Sequence, residues 1–290
     1  MRFSYAESMC EPSQYAVLAR AAEEAGWHSY VVPDSVCYPE VSDSKYPYTP
    51  DGNREFLADA PFVDPFVLIG ALGAVTQRLR FTTFVIKLPI RDPVLVAKAA
   101  TSAAVLTGNR LALGVGLSPW PEDFAVTATD WATRGLRCDE MIEIVRGLSR
   151  GGFFAYDGSH YKIPSIRLNP TPSRPLPILV GGHAEPALRR AARLADGWMH
   201  AGGDRESLVR ALGRLRDLRR EYGREREPFE VHVIALDAYT PDGVRRLEDL
   251  GVTDVIVGFR NSYQRDTQTL QHKLDALRAY ADGVIAKTAG

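Results

Sequence analysis

Short apolar runs alternate with longer amphipathic segments from one end of this chain to the other, and no other property narrows its fold so far. The runs at residues 30–33, 79–87, 110–115, 177–180, 197–200, 229–237 and 254–259 are rich in Val, Ile and Phe and bounded by Gly, Pro or Asp, and with residues 2–6 they make eight. They read as buried strands. Helical patterns lie between them at residues 13–26, 93–106, 134–148, 185–194, 205–222, 242–250 and 267–281. The first opens on Ser13, places Leu18, Ala21, Ala22 and Ala25 on one face, and stops at Gly26. Strand-then-helix order implies parallel strands with the helices outside. Eight such strands favour closure into an α/β fold of the (β/α)8 TIM-barrel type over an open doubly wound sheet. No Gly-x-Gly-x-x-Gly follows the first strand, which weakens the open-sheet alternative further.

A chain of 290 residues suits one such barrel, so a single domain over 1–290 is expected. Two connections, 34–60 and 151–176, are too long for turns and read as functional lids or insertion loops. The formal net charge of -1 gives no electrostatic reason to expect a nucleic-acid partner. The charged stretch at 214–221 interleaves opposite signs, as a solvated helix face does. Three widely spaced cysteines, Cys10, Cys37 and Cys138, form no Cys-x-x-Cys and suggest a reducing compartment. Cys37 lies in the first long loop, where no flanking base would activate it. No signal-peptide pattern and no run near the ~20 apolar residues of a membrane span is present, so a soluble cytoplasmic protein is expected.

In a barrel of this kind functional groups sit on the loops after the strands. After the second strand come Asp34 and Ser35; the Asp reads equally as a turn former or as an acceptor for a ligand. After the fourth come Gly114, Val115, Gly116 and Leu117, where glycines would let backbone approach a flat ligand or merely make a turn. After the fifth come Val180, Gly181, Gly182 and His183, leading into a helix whose N-terminus would favour a phosphate. His183 reads as a hydrogen-bonded loop histidine first and as a phosphate ligand or acid second, and His200 carries the same ambiguity. The remaining histidines are dispersed, and no spacing suggests a metal centre. No Gly-x-Ser-x-Gly elbow is present. The third strand ends in an apolar surface, Phe81 to Pro89, suited to backing an aromatic ring. The residues thus point to a barrel enzyme with a planar, phosphate-bearing ligand.

Taken in order, several blocks resemble the luciferase-like monooxygenase family, particularly its coenzyme F420-dependent branch. They are Ala22-Glu23-Glu24-Ala25-Gly26-Trp27 leading to Val32-Pro33-Asp34, then Arg78-Leu79-Arg80-Phe81-Thr82-Thr83, then Leu88-Pro89-Ile90-Arg91-Asp92-Pro93. They continue with Leu106-Thr107-Gly108-Asn109-Arg110, Leu113-Gly114-Val115-Gly116, Arg134-Gly135 with Asp139-Glu140, Pro177-Ile178-Leu179-Val180-Gly181-Gly182 and Asp196-Gly197-Trp198. The resemblance covers roughly residues 1–200; beyond that only the β/α rhythm matches.

The resemblance implies a flavin-type cofactor at the strand ends, F420 first and FMN as the alternative. It implies a non-prolyl cis peptide at Phe84–Val85 behind the ring, and cofactor contacts from Asp34, Ser35, Thr83, Phe84, Val85, Gly116, Leu117, Val180, Gly181, Gly182 and His183. In this class hydride moves between the ring and a small-molecule substrate, which the protein orients. Family members usually form homodimers. Two departures stand out: Ser35 replaces the His of the family's sugar-phosphate dehydrogenases, and Pro119 replaces their Glu. With that acid–base pair gone the proton donor is left open; His183, Tyr38 and Glu122 are the replacement candidates, and Asp34 and His183 the expected catalytic residues. The long loops carry Tyr38, Tyr46, Tyr48, Phe56, Phe153, Phe154, Tyr156 and Tyr161, which either line the substrate pocket or pack the loops onto the barrel. A catalytically silent barrel with a binding role is the competing class.

Overall fold

The fold was analysed in a computed structural model, which describes residues 1–46, 49 and 51–288; Tyr48 lies outside the described residues. The first half runs β1 (Arg2–Tyr5), α1 (Tyr15–Glu24), β2 (Ser29–Val32), α2 (Pro65–Ala74), β3 (Arg80–Thr83), β4 (Ile86–Lys87), α3 (Pro93–Leu106) and β5 (Leu111–Gly116). The middle adds α4 (Pro121–Val126), α5 (Arg134–Ser149), the strands β6 (Phe154–Asp157) and β7 (Lys162–Ile166), then β8 (Ile178–Gly181) and α6 (Glu185–Leu194). The last part runs β9 (Gly197–His200), α7 (Arg205–Glu221), β10 (Glu230–Val233), α8 (Pro241–Asp249), β11 (Asp254–Val257) and α9 (Leu270–Tyr280).

Parallel pairing runs β3-β2-β1-β11-β10-β9-β8-β5-β4, and β3 also pairs with β5 through Phe81↔Leu111 and Thr82↔Ala112. That last pairing closes the sheet into a TIM barrel in which β3 and β4 are two pieces of one stave. All eight expected strands are present. The third is interrupted at Phe84 and Val85, and the seventh ends at Val233, followed by a 3-10 turn at Leu236–Tyr239. α2 has no counterpart among the expected helices. Its sequence is apolar on every side and carries no charge, so no 3.6-residue contrast marks it. Its start is nonetheless conventional, with Asp64 capping Phe66 N and Val67 N at 3.0 and 3.1 Å ahead of Pro65. The 151–176 connection is partly an antiparallel hairpin, β6 with β7.

The pleat divides the barrel interior into two layers. Val31, Ala112, Leu179, Met199 and Ile256 form an apolar layer with Ala6, Phe84, Val85 and Ile234 packed against it. Nearer the N-terminal ends of the strands the interior is polar. Ser4 donates to Asp254 at 2.9 Å, Ser29 and Thr82 share a hydrogen bond at 3.0 Å, and Arg80 grips Glu230 with two bonds of 3.0 Å. Arg2 reaches both Asp254 (2.6 Å) and Glu230 (3.0 Å), while His232 Nε2 lies 2.7 Å from Glu230. Burial opposes ionisation of Glu230, but His232, Arg80 and Arg2 outweigh it and hold the carboxyl well below its usual range. Donor atoms of Glu230, His232 and Asp254 lie within 4.8 Å of one another, yet the two guanidinium groups already balance the two carboxylates, as in a charge-compensated core. No helix among the described residues is long and apolar enough to cross a membrane.

Candidate active site

Above the apolar layer, at the C-terminal ends of the strands, lies a cavity of about 300 Å³. Its floor comes from strand ends: Val31, Phe84, Val85, Gly116, Gly181, Met199, Ile234 and Ile256 all line it. Backbone geometry explains the glycines. A Cβ on Gly116 would meet Val85 Cγ2 at 2.8 Å, and one on Gly181 would meet Val85 Cγ1 at 3.0 Å. Val85 therefore fills the space that side chains on β5 and β8 would otherwise take. The Phe84–Val85 peptide is cis, as the resemblance implied. One turn of the pleat lower, a Cβ on Gly114 would fall 1.9 Å from the Thr83 carbonyl oxygen. Thr83 Oγ1 donates to the Gly114 carbonyl at 2.7 Å. Thr83 and Val180 are buried and do not line the cavity, and Val180 packs in the larger apolar core and not in the inner layer.

Asp34, Ser35 and Leu117 line the cavity. Asp34 is committed to the protein: Oδ2 accepts the Lys87 backbone N–H at 2.8 Å and Oδ1 accepts from Arg91 Nη2 at 2.8 Å. Arg91 also donates to the Lys87 carbonyl at 3.1 Å. Lys87 lines the cavity as well, and its Nζ pairs with the buried Asp123 at 2.6 Å. Ser118 donates to the same carboxylate, and its hydroxyl accepts Trp120 N–H at 3.0 Å. The Lys87–Asp123 pair escaped the sequence reading, because strand and helix patterns do not reveal which loop charges meet.

Gly182 adopts φ +124° and lines the cavity with Gly181 just before α6. The first-turn amides of a helix have no intrahelical acceptor, and they favour an anion. Beyond this loop a second pocket is lined by His183, His200, Ser207, Arg210 and Arg214. His183 thus stands beside the glycine loop but does not line the main cavity. Its Nε2 accepts Ala201 N–H at 3.0 Å, which places any single ring proton on Nδ1, and the ring stacks on His200 at 4.4 Å. Burial lowers the pKa of His183; burial, then His183 itself, pulls His200 down to about 4. Both rings are neutral at pH 7.

The other expected proton donors are also placed away from the lining. Burial opposes ionisation of Glu122, but hydrogen bonds from Ser42 and from Ser44 (2.9 Å) and the charge of Arg54 prevail, leaving its pKa lowered. Tyr38 carries the Arg54 guanidinium over its ring at 5.0 Å. Cys37 is exposed and its pKa is raised, chiefly by desolvation. Among the described residues the cavity is lined by no histidine and no cysteine.

The loop aromatics divide cleanly. Tyr46 and Phe56 line the cavity, joined by Phe62, Trp120 and Tyr263, which the sequence reading did not assign to it. Phe153, Phe154, Tyr156 and Tyr161 do not. Phe153 is exposed, Phe154 packs against Gly147 of α5, Tyr156 donates to Glu143 at 2.9 Å, and Arg137 covers Tyr161 at 4.7 Å. The second long loop is therefore packing onto α5.

The family described as luciferase-like monooxygenase matches residues 4–280. A protein of Mycobacterium tuberculosis is 60% identical over 289 residues, covering 99% of this chain and 100% of that protein. An F420-dependent glucose-6-phosphate dehydrogenase of Nakamurella multipartita is 30% identical over 264 residues, covering 86% of this chain and 71% of that protein. Among solved structures, a monooxygenase from Streptomyces bottropensis superposes with TM-score 0.79 at 19% identity, covering 100% of both chains.

Proposed function

The chain belongs to the luciferase-like monooxygenase family, and on that footing we propose that it is an oxidoreductase moving a hydride between coenzyme F420 and a small organic substrate. One observation carries this reading. Among the described residues the two charged ones at the cavity, Asp34 and Lys87, are held in ion pairs, with Arg91 and Asp123, while the floor itself is apolar carbon and glycine backbone. Such a cavity offers a flat slot and no activated nucleophile, so the reactive group has to arrive with a ligand. The F420-dependent relative supports the deazaflavin over other flat redox rings.

F420, when bound, supplies a ring carbon that gives or takes a hydride. The residues of this chain do the rest. Val85, packed against Gly116 and Gly181, backs the slot, and Gly181 and Gly182 bring amides and the N-terminus of α6 to the phosphate. The second pocket, with Ser207, Arg210 and Arg214, would receive the anionic extension of the coenzyme, with Arg210 and Arg214 turning to it from their exposed partners Glu206 and Glu185. Asp34 fixes the position of the stave that carries Val85 through Lys87 N–H.

FMN-dependent monooxygenation is the second reading. It draws on the same slot, whose apolar atoms do not distinguish a ring nitrogen from a ring carbon at the reacting position. Oxygen uptake separates the two. Protein supplied with reduced F420 should consume no more oxygen than the free coenzyme, whereas protein that changes the rate of oxygen uptake by reduced FMN relative to free FMN, which oxidises rapidly by itself, would support the monooxygenase and count against the hydride-transfer reading.

A further inference from the structure

Resting on the oxidoreductase reading above, we propose that the substrate is a flat, uncharged aromatic or conjugated molecule, held in a box of Tyr46, Phe56, Trp120 and Tyr263. Three different loops build this box at the mouth of one cavity: the loop after β2 gives Tyr46 and Phe56, the loop after β5 gives Trp120, and the loop after β11 gives Tyr263. The rings interlock. Tyr46 stacks on Trp120 at 5.6 Å and meets Phe56 and Tyr263 edge-on at 5.2 and 5.7 Å, while Phe56 meets Tyr263 edge-on at 5.6 Å. Leu57 and Phe62 fill the wall beside them.

Ring geometry selects a planar guest, because offset-stacked and edge-to-face contacts reward flat π surfaces. Charge selects a neutral one. An aromatic box could in principle hold a cation. Here, however, the Arg54 guanidinium already sits 5.5 Å from the Trp120 ring and would repel a second positive charge. Among the described residues the lining offers an anion no unpaired cationic side chain beside the rings, since the Lys87 ammonium is bound to Asp123 at 2.6 Å. A sugar or other polyol would leave most of its hydroxyls against carbon, at a desolvation cost that these walls do not repay. The sugar phosphate for which the F420-dependent relative is named would thus fit poorly here, consistent with Ser35 and Pro119 in this chain.

The test uses four probes of similar size: 2-acetylnaphthalene, 2-naphthoate, trimethyl(2-naphthyl)ammonium and 2-acetyldecalin. Each is titrated calorimetrically into the purified protein, first without coenzyme and then with saturating F420. 2-Acetylnaphthalene should bind at least about tenfold more tightly than each of the other three. Tyr263→Leu, at an exposed position, should weaken that binding several-fold at an unchanged melting temperature, and Trp120→Leu, at a buried one, should weaken it several-fold in protein that still folds. If Trp120→Leu fails to fold, Tyr263→Leu with Phe56→Leu serves instead. The proposal is overturned if naphthoate, the ammonium or the decalin binds as tightly, if no probe saturates, or if the folded ring-deletion variants keep full affinity. Failure of the coenzyme reading would look different: no change on adding F420, with discrimination among probes intact.

Discussion

Asp34 and Lys87 stand 53 residues apart in the chain, and the Asp34 carboxylate accepts the Lys87 backbone N–H at 2.8 Å. The bond ties the end of β2 to β4, the outer piece of the interrupted stave, just past Val85 on the cavity floor. Its other oxygen holds Arg91, and the carboxylate is fully buried. Asp34→Ala should cost roughly 3–5 kcal/mol, because it strands a buried N–H and leaves the guanidinium unpaired. Asp34→Asn keeps one acceptor and should cost less. Urea unfolding measures both. An Asn variant of native stability that no longer binds coenzyme would instead make the carboxylate a ligand group.

Two glycines should respond in opposite directions to the same change. Gly114→Ala puts a Cβ 1.9 Å from the Thr83 carbonyl oxygen and 2.6 Å from Met199 Sδ, and backbone cannot yield that much. The variant should be insoluble or destabilised by more than about 3 kcal/mol, beyond the range of ordinary substitutions. Gly70, inside α2, has nothing within 4 Å of its added Cβ. Gly70→Ala should stabilise by about 0.5–1 kcal/mol through the helix preference of alanine. Thermal melts of the pair check both.

Acid should destabilise the fold partly through His200. Its ring protonates near pH 6.5 in an unfolded chain but only at about 4 in the folded one, chiefly because of burial. Stability from this group is therefore complete above pH 6.5 and drains away as pH falls towards 4, because the unfolded state binds the extra proton. The slope is at most about 1.4 kcal/mol per pH unit for one proton. His183, shifted the same way, adds to it. His200→Asn keeps an acceptor for Gly202 N–H, which now reaches Nδ1 at 3.3 Å, and should flatten the curve between pH 6.5 and 5. An unchanged curve would remove His200 from the account.

Ser207 offers a way to charge the second pocket without harming the fold. It lies in the first turn of α7, where its N–H donates to Asp204 at 2.7 Å, and an acidic residue in a first turn suits the helix dipole. Ser207→Asp should leave the melting temperature within a degree or two, yet weaken a phosphate-bearing coenzyme at least about tenfold at low salt, with the penalty shrinking as salt rises. Equal binding by variant and parent would place the phosphate elsewhere.

The barrel was legible because most of its strands lie in short apolar runs closed by Gly, Pro or Asp, and the alternation with helical patterns brings in β1 as well. α2 was not, since Pro65 to Ala74 lacks the polar face that creates a period. The glycine loop and the position of Phe84–Val85 could be named from ordered blocks of sequence. What those glycines do could not: Gly116 and Gly181 make room for Val85, a contact across three staves. The same limit applies to charge. Asp34 and Lys87 were visible as residues, but their partners Arg91 and Asp123 are fixed by loop geometry. His183 lines the second pocket and not the main cavity for a similar reason, since its ring turns to Ala201 N–H and His200.

The most direct measurement is a pair of equilibrium titrations of the purified protein with oxidised F420 and with FMN, followed by coenzyme fluorescence under identical conditions. F420 should saturate one site per chain and bind at least about tenfold more tightly than FMN, a difference of about 1.4 kcal/mol. Tight, saturable FMN binding with no response to F420 would contradict the proposed hydride chemistry and leave the monooxygenase in its place.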